Sequence, residues 1–170
     1  MSGRVVVGFS PTPAGYEALR YAVEQATARR APLVVVRAVR VEPYEWSADA
    51  RMDTTVAVTA EVVTAFREAM GETPGDVKVQ VVVDPGRADK VLGSVANQRD
   101  DLLILGSCTR QRLRALVHGA MLRRCLRVVA CPVVIVPPPA MARDGSAARL
   151  GREAVAELER YLRRPVELAS

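Results

Sequence analysis

The residues best suited to chemistry lie in two short segments, each following an apolar run. "RVVVGFSPT" ends in Gly8, Ser10 and Thr12, and "LLILGSCTRQRLRALVHGA" carries Gly106, Ser107, Thr109, Arg110, Arg112, Gly119 and Ala120. The chemistry these types offer is anion holding. Glycines let a phosphate approach the backbone closely, hydroxyls of Ser10, Ser107 and Thr109 add hydrogen bonds, and Arg110 and Arg112 add charge-assisted ones. Ala120 keeps its backbone N–H at a helix terminus that attracts anions. Gly106 and Gly119 also have a purely structural reading, as turn and close-packing glycines. Bond-making chemistry is not supported. His118 has neither a nucleophile nor an orienting acid in a recognisable pattern, and reads as a helix-surface or capping residue. Cys108 follows a strand in a loop, where a nearby helix start lowers a thiol pKa, although a small inert residue fits as well.

These segments need a scaffold. "RVVVGFS" is a strand followed by a helical pattern with Ala18, Leu19, Ala22, Val23 and Ala26 on one face. "PLVVVRAVRV" is the second strand, and residues 42–53, polar with Pro43 and Trp46, are expected to form a loop. Val58, Val62, Val63, Phe66, Ala69 and Met70 make a second helix closed by Gly71. "VKVQVVV", partly alternating as an edge strand does, is the third strand, and Ala88, Val91, Leu92, Val95 and Ala96 face one side of a third helix. "DLLILG", a helix over Leu113–Val129 and "PVVIV" complete the pattern. Such alternation implies parallel pairing with right-handed crossovers. The fold class is therefore α/β, a single doubly wound five-stranded parallel sheet with helices on both faces. Its ligand crevice belongs outside the strand carboxyl ends, at the loops after strands one and four.

With 170 residues the chain suits one such core. Residues 1–139 form that domain. Residues 140–170 are expected to be a linker and an amphipathic helix, with Leu150, Ala154, Leu158 and Tyr161 on one face and an Arg149–Glu153 pair on the other. That helix docks on its own domain or meets a partner subunit. No run reaches the roughly 18 apolar residues of a membrane span, and no secretory signal is evident, so the expected location is the cytoplasm. Cys108, Cys125 and Cys131 suggest reduced thiols, without metal spacing. The net charge is +5, with Arg110, Arg112, Arg114, Arg123, Arg124 and Arg127 close together. This run reads as a solvated helix face, because it lacks the interleaved aromatics of a nucleic-acid stacking platform.

The order of elements, together with "VVVGFS", "GSCTRQRLRALVHGA" and "ACPVVIVP", resembles the universal stress protein family over roughly residues 3–137. The resemblance implies a Rossmann-like fold of the adenine nucleotide alpha hydrolase type and an adenine-nucleotide site. Gly106 and Gly119 stand at the first and third glycine positions of that family's phosphate loop, with the spacing intact. Thr109 replaces its middle glycine, Ala120 its hydroxyl residue and Ser10 the usual aspartate after strand one, while Asp84 precedes Pro85 where a glycine is common. The expectation is a non-enzymatic stress-associated regulatory or binding protein with a weakened or lost ATP site and no required cofactor. The alternative is a genuine adenine-nucleotide binder working as a slow ATPase. Partners implied are a regulatory protein of unknown identity and a second copy, joined through Val133, Val134, Ile135 and Val136 of an edge strand.

Overall fold

The computed structural model describes residues 3–39, 47–71, 74–107 and 112–140, with the side chains of 112–119 excepted. The chain divides into Met1–Pro138 and Pro139–Ser170. Every element described here belongs to the first unit, and the expected C-terminal helix lies outside the described residues.

Element order is β1 (Val5–Gly8), α1 (Pro13–Arg29), β2 (Leu33–Val39), α2 (Ala48–Met70), β3 (Val79–Pro85), α3 (Ala88–Val95), β4 (Leu102–Gly106), α4 (Arg112–Val128) and β5 (Val133–Val136). The strands form one parallel sheet in the order β3-β2-β1-β4-β5. β1 is central, and Val5, Val6 and Val7 are fully buried because helices cover both faces. Pleating sorts the side chains. Val5, Val7, Leu33, Val35, Leu102 and Ile104 join Leu19, Val62 and Phe66 of α1 and α2 in one core. Val6, Val34, Val36, Leu103 and Leu105 join Val91, Leu92 and Cys125 of α3 and α4 in the other. The edge positions expected for the third and fifth strands are those observed.

The expected loop over residues 42–53 is corrected in its second half, where α2 begins at Ala48. Polar composition there marks an exposed helix face rather than a loop. Ser47 caps the helix by accepting the Ala50 N–H at 3.2 Å, and Asp49 lies in the first turn, where the helix dipole favours it. The Thr54, Thr55 and Thr59 hydroxyls donate to carbonyls four residues back, at 2.7, 2.8 and 2.7 Å, so their polarity is satisfied inside the helix. At the other end Gly71 adopts φ 83°, the left-handed conformation that closes helices on glycine.

At the amino-terminal edge of the sheet Arg4 and Asp101 clasp β1 to β4. Asp101 is 1% exposed. Its Oδ1 accepts from Arg4 N–H at 3.0 Å and Nε at 3.1 Å, and its Oδ2 from Arg4 Nη2 at 2.7 Å and Gln98 N–H at 3.2 Å. Arg4 Nη2 also donates to the Val95 carbonyl at 2.8 Å. Burial pushes the Asp101 carboxyl up, but these hydrogen bonds outweigh it and hold the group below the usual carboxylate range.

A candidate ligand crevice

α1 leaves β1 for one face of the sheet and α4 leaves β4 for the other, which parts the chain outside the carboxyl ends of these neighbouring strands. A cavity of about 180 Å³ opens there, lined by Gly8, Phe9 and Ser10 from β1 and its exit, by Val36, Arg37 and Ala38 from β2, and by Leu105 and Gly106 from β4. Ala88, Leu92 and Met121 complete its wall. Two glycines set its shape. A Cβ on Gly8 would stand 2.6 Å from Leu105 Cδ2, and one on Gly106 would stand 2.6 Å from the Ala14 carbonyl oxygen. Gly106 therefore admits the first turn of α1 against the end of β4.

The cavity is smaller than the roughly 300 Å³ of ordinary ligand pockets. One residue of its wall contributes through its backbone. Residues along a parallel strand turn their N–H and C=O alternately to either neighbour. The Val36 carbonyl accepts from Phe9 N–H at 2.9 Å, so Val36 faces β1, and the Val39 carbonyl accepts from Gly86 N–H at 2.9 Å, so Val39 faces β3. Ala38, two residues past Val36, turns both its backbone groups towards the β1 side, where β1 has already ended. The register would next pair the Ala38 carbonyl with residue 11, but Pro11 has no N–H.

Polar groups around the mouth are engaged. Thr12 caps α1 by accepting the Gly15 N–H at 3.1 Å, the Ser10 and Thr12 hydroxyls lie 3.2 Å apart, and the Thr12 carbonyl accepts from Tyr16 N–H at 2.9 Å. Pro13 has no N–H to offer. Arg37 Nη1 donates to the Phe9 carbonyl at 3.3 Å, and its Nη2 lies 3.8 Å from Glu61 Oε2. Asp89 takes two bonds from Arg87, at 3.1 and 2.9 Å, which hold its carboxyl below the usual range despite burial. Asp84, at the edge strand, lies 4.0 Å from Arg51 and is not part of the cavity wall. Beneath Met121, Cys125 Sγ donates to the thioether at 3.4 Å, and burial, with the nearby Asp89 charge, pushes this thiol up to about 11. Among the described residues no group of His, Cys, Asp or Glu could hold a metal ion.

Of the residues singled out from the sequence, Gly8, Ser10 and Gly106 line the cavity. Ser107 instead donates its N–H to Val136 at 2.8 Å, continuing the β4–β5 ladder. Thr109 and Arg110, like Cys108, lie outside the described residues. Arg112, His118 and Gly119 belong to α4, and the expected place of Ala120 at a helix terminus is corrected: α4 begins at Arg112, so the half-buried Ala120 stands in mid-helix, away from the anion-attracting first turn, and is not in the cavity wall. Along β5, Val134 and Val136 pack on the α1/α2 core and Val133 on the other, while Ile135 is 37% exposed. Sequence reasoning missed Arg37, Ala38, Leu92 and Met121. The signal available was Arg37 itself, a charge interrupting "VVVRAV" in a strand whose first four residues are buried.

The model of the universal stress protein family matches residues 1–137. No curated protein matches the chain. Solved structures do, at identities that speak to the fold. A universal stress protein in complex with cAMP is 22% identical, with TM-score 0.58 over 81% of this chain and 98% of the other. The universal stress protein from Archaeoglobus fulgidus in complex with dAMP is 17% identical, with TM-score 0.52 over 79% and 97%. The universal stress protein UspA from Lactobacillus plantarum is 14% identical, with TM-score 0.57 over 80% and 99%.

Proposed function

Since the chain belongs to the universal stress protein family, we propose that it is a non-enzymatic, stress-associated binding or regulatory protein whose crevice holds the adenine end of a nucleotide weakly. The observation that carries this reading is Ala38, whose N–H and C=O point together to the β1 side of β2 and line an apolar slot between Leu92, Leu105 and Met121. A donor and an acceptor on one residue match the adjacent ring nitrogen and amino group of adenine. Structures with cAMP and dAMP among the similar folds agree with that ligand class.

Weakness follows from the phosphate and ribose side. Ser10, its hydroxyl 3.2 Å from that of Thr12, offers no carboxylate where the family motif has aspartate, the first turn of α1 is capped from within, and Thr109 stands where the motif has glycine. Calorimetry with Mg-ATP is expected to give a dissociation constant on the order of 0.1 mM or above, strengthened by Thr109→Gly and abolished by Arg112→Ala. Low-micromolar affinity would instead establish the tight-binding alternative and reopen slow ATP hydrolysis.

The second half of the proposal is assembly. β5 is an edge strand with Ile135 exposed, and an unpaired edge flanked by apolar surface invites a second copy in an antiparallel, two-fold pairing. Ile135→Pro should convert a dimer to a monomer in light scattering, because it deletes a donor from the contact, and Val134→Lys should do the same while also setting a charge against the α1/α2 core, so its fold is checked alongside. A wild-type monomer at micromolar concentration would remove this interface. Residues 1–139 are taken as the working domain and 140–170 as an accessory linker and helix. Among the described residues no helix is long and apolar enough to cross a membrane, and the proposed location is the cytoplasm.

A further inference from the structure

We infer that Arg37 is a positioning residue that holds the crevice open to its ligand, an inference resting on the adenine reading above. In the parallel register, Val36 sits opposite Gly8, and Phe9 N–H donates to the Val36 carbonyl at 2.9 Å. The next bond of an evenly spaced ladder runs from Ala38 N–H to the Phe9 carbonyl. That carbonyl instead accepts from Arg37 Nη1 at 3.3 Å, and the Ala38 bond to it is not formed. The guanidinium reaches it from the α1/α2 face and is steadied from behind by Glu61 of α2 at 3.8 Å. Two residues thus stop the ladder at the point where a ring must enter. Pro11 deprives the Ala38 carbonyl of a donor, and the Phe9 carbonyl bonds the Arg37 side chain where a continued ladder would bond the Ala38 N–H.

Placement explains why a charge is kept in this strand. Arg37 is only a quarter exposed and Glu61 about a third, so both are partly desolvated, and a purely structural ion pair between sheet and helix would do as well with an apolar pair. An apolar residue at position 37 would, however, release the Phe9 carbonyl to the sheet. The ladder would lengthen by one bond, and the ligand would lose its donor. Arg37 touches no ligand in this scheme and acts only through Phe9 and Ala38.

The test is amide hydrogen exchange by NMR on the full chain, paired with AMP titration. The wild-type Ala38 amide should exchange freely. Arg37→Leu should slow it about tenfold, the effect of one recovered hydrogen bond, and weaken AMP about tenfold. Arg37→Lys, which retains a cationic donor, should restore both values towards wild type. Unchanged Ala38 exchange in Arg37→Leu, with the neighbouring Val36 amide still protected, overturns the inference. If that variant does not fold, Glu61→Gln gives the decision: a partial slowing of Ala38 exchange supports the role and no change refutes it. Failure of the wild type to bind AMP overturns the adenine reading and the ligand half of this inference, while the exchange result judges the ladder half independently.

Discussion

Replacing Asp101 with alanine should cost about 3 kcal/mol of folding free energy. Four donors converge on this carboxylate, three from Arg4 and one from Gln98, and the carboxylate is 1% exposed. Removing it strands the Arg4 and Gln98 N–H groups in a part-buried site, each at about 1 kcal/mol or more. The Arg4 side chain is 31% exposed and retains the Val95 carbonyl at 2.8 Å. Its own loss is therefore well short of the roughly 3–5 kcal/mol seen when a fully buried pair is broken. Urea unfolding at pH 7 measures the change, and a loss below about 1 kcal/mol would refute the reasoning. A pH series gives a second handle. The folded Asp101 pKa is depressed, so its contribution is present above the unfolded carboxylate value and disappears as pH falls through the folded one. The wild-type and Asp101→Ala stabilities should converge in acid. The double variant Arg4→Met/Asp101→Leu should be less destabilised than Asp101→Ala, because no charge is left unpaired.

Gly106→Ala drives a Cβ to within 2.6 Å of the Ala14 carbonyl and should destabilise the protein by about 1–3 kcal/mol in urea unfolding; a neutral effect would mean that α1 yields easily. Arg30 holds a left-handed conformation, φ 50° and ψ 42°, at the close of α1, so Arg30→Gly should stabilise by about 0.5 kcal/mol once the freer unfolded chain is discounted, and a loss would contradict this. Native maleimide labelling mapped by mass should modify Cys108 before the buried Cys125 and Cys131, and the reverse order would exclude an accessible loop. Because the Cys125 thiol is raised to about 11 when folded, its protonated form stabilises the protein below the ordinary thiol pKa, and this contribution is lost as pH climbs towards 11; Cys125→Ala should flatten that alkaline decline.

The strands were legible because burial on both faces leaves continuous apolar runs, as in "LLIL" and "LVVV", and alternation with helices then dictates a parallel sheet. Chain order also placed β5 at an edge. What misled was polarity near the start of α2, where Asp49, Arg51 and Asp53 look like a loop until Ser47 is recognised as a cap. The site was half legible. Glycines and hydroxyls after β1 and β4 announce themselves locally, whereas Arg37, Leu92 and Met121 reach the cavity from β2, α3 and α4, and only the sheet order brings them together. Ala38 carries no side-chain signal at all, since its contribution is the direction of its backbone.

The central position of β1 has a consequence for synthesis. Its inner partner β2 follows soon after it, but its outer partner β4 ends at Gly106, roughly a hundred residues downstream. A three-stranded β3-β2-β1 sheet can form once Pro85 has emerged, leaving the Val5, Val6 and Val7 edge uncovered until β4 arrives. At about 5–20 residues per second that interval lasts about 1–4 s. During it a fully apolar strand presents free N–H and C=O groups to any neighbouring nascent chain, the arrangement most prone to intermolecular pairing. Ribosome-released fragments ending before Leu102 should therefore aggregate, and the Arg4–Asp101 clasp is the lock that ends the exposure when β4 docks.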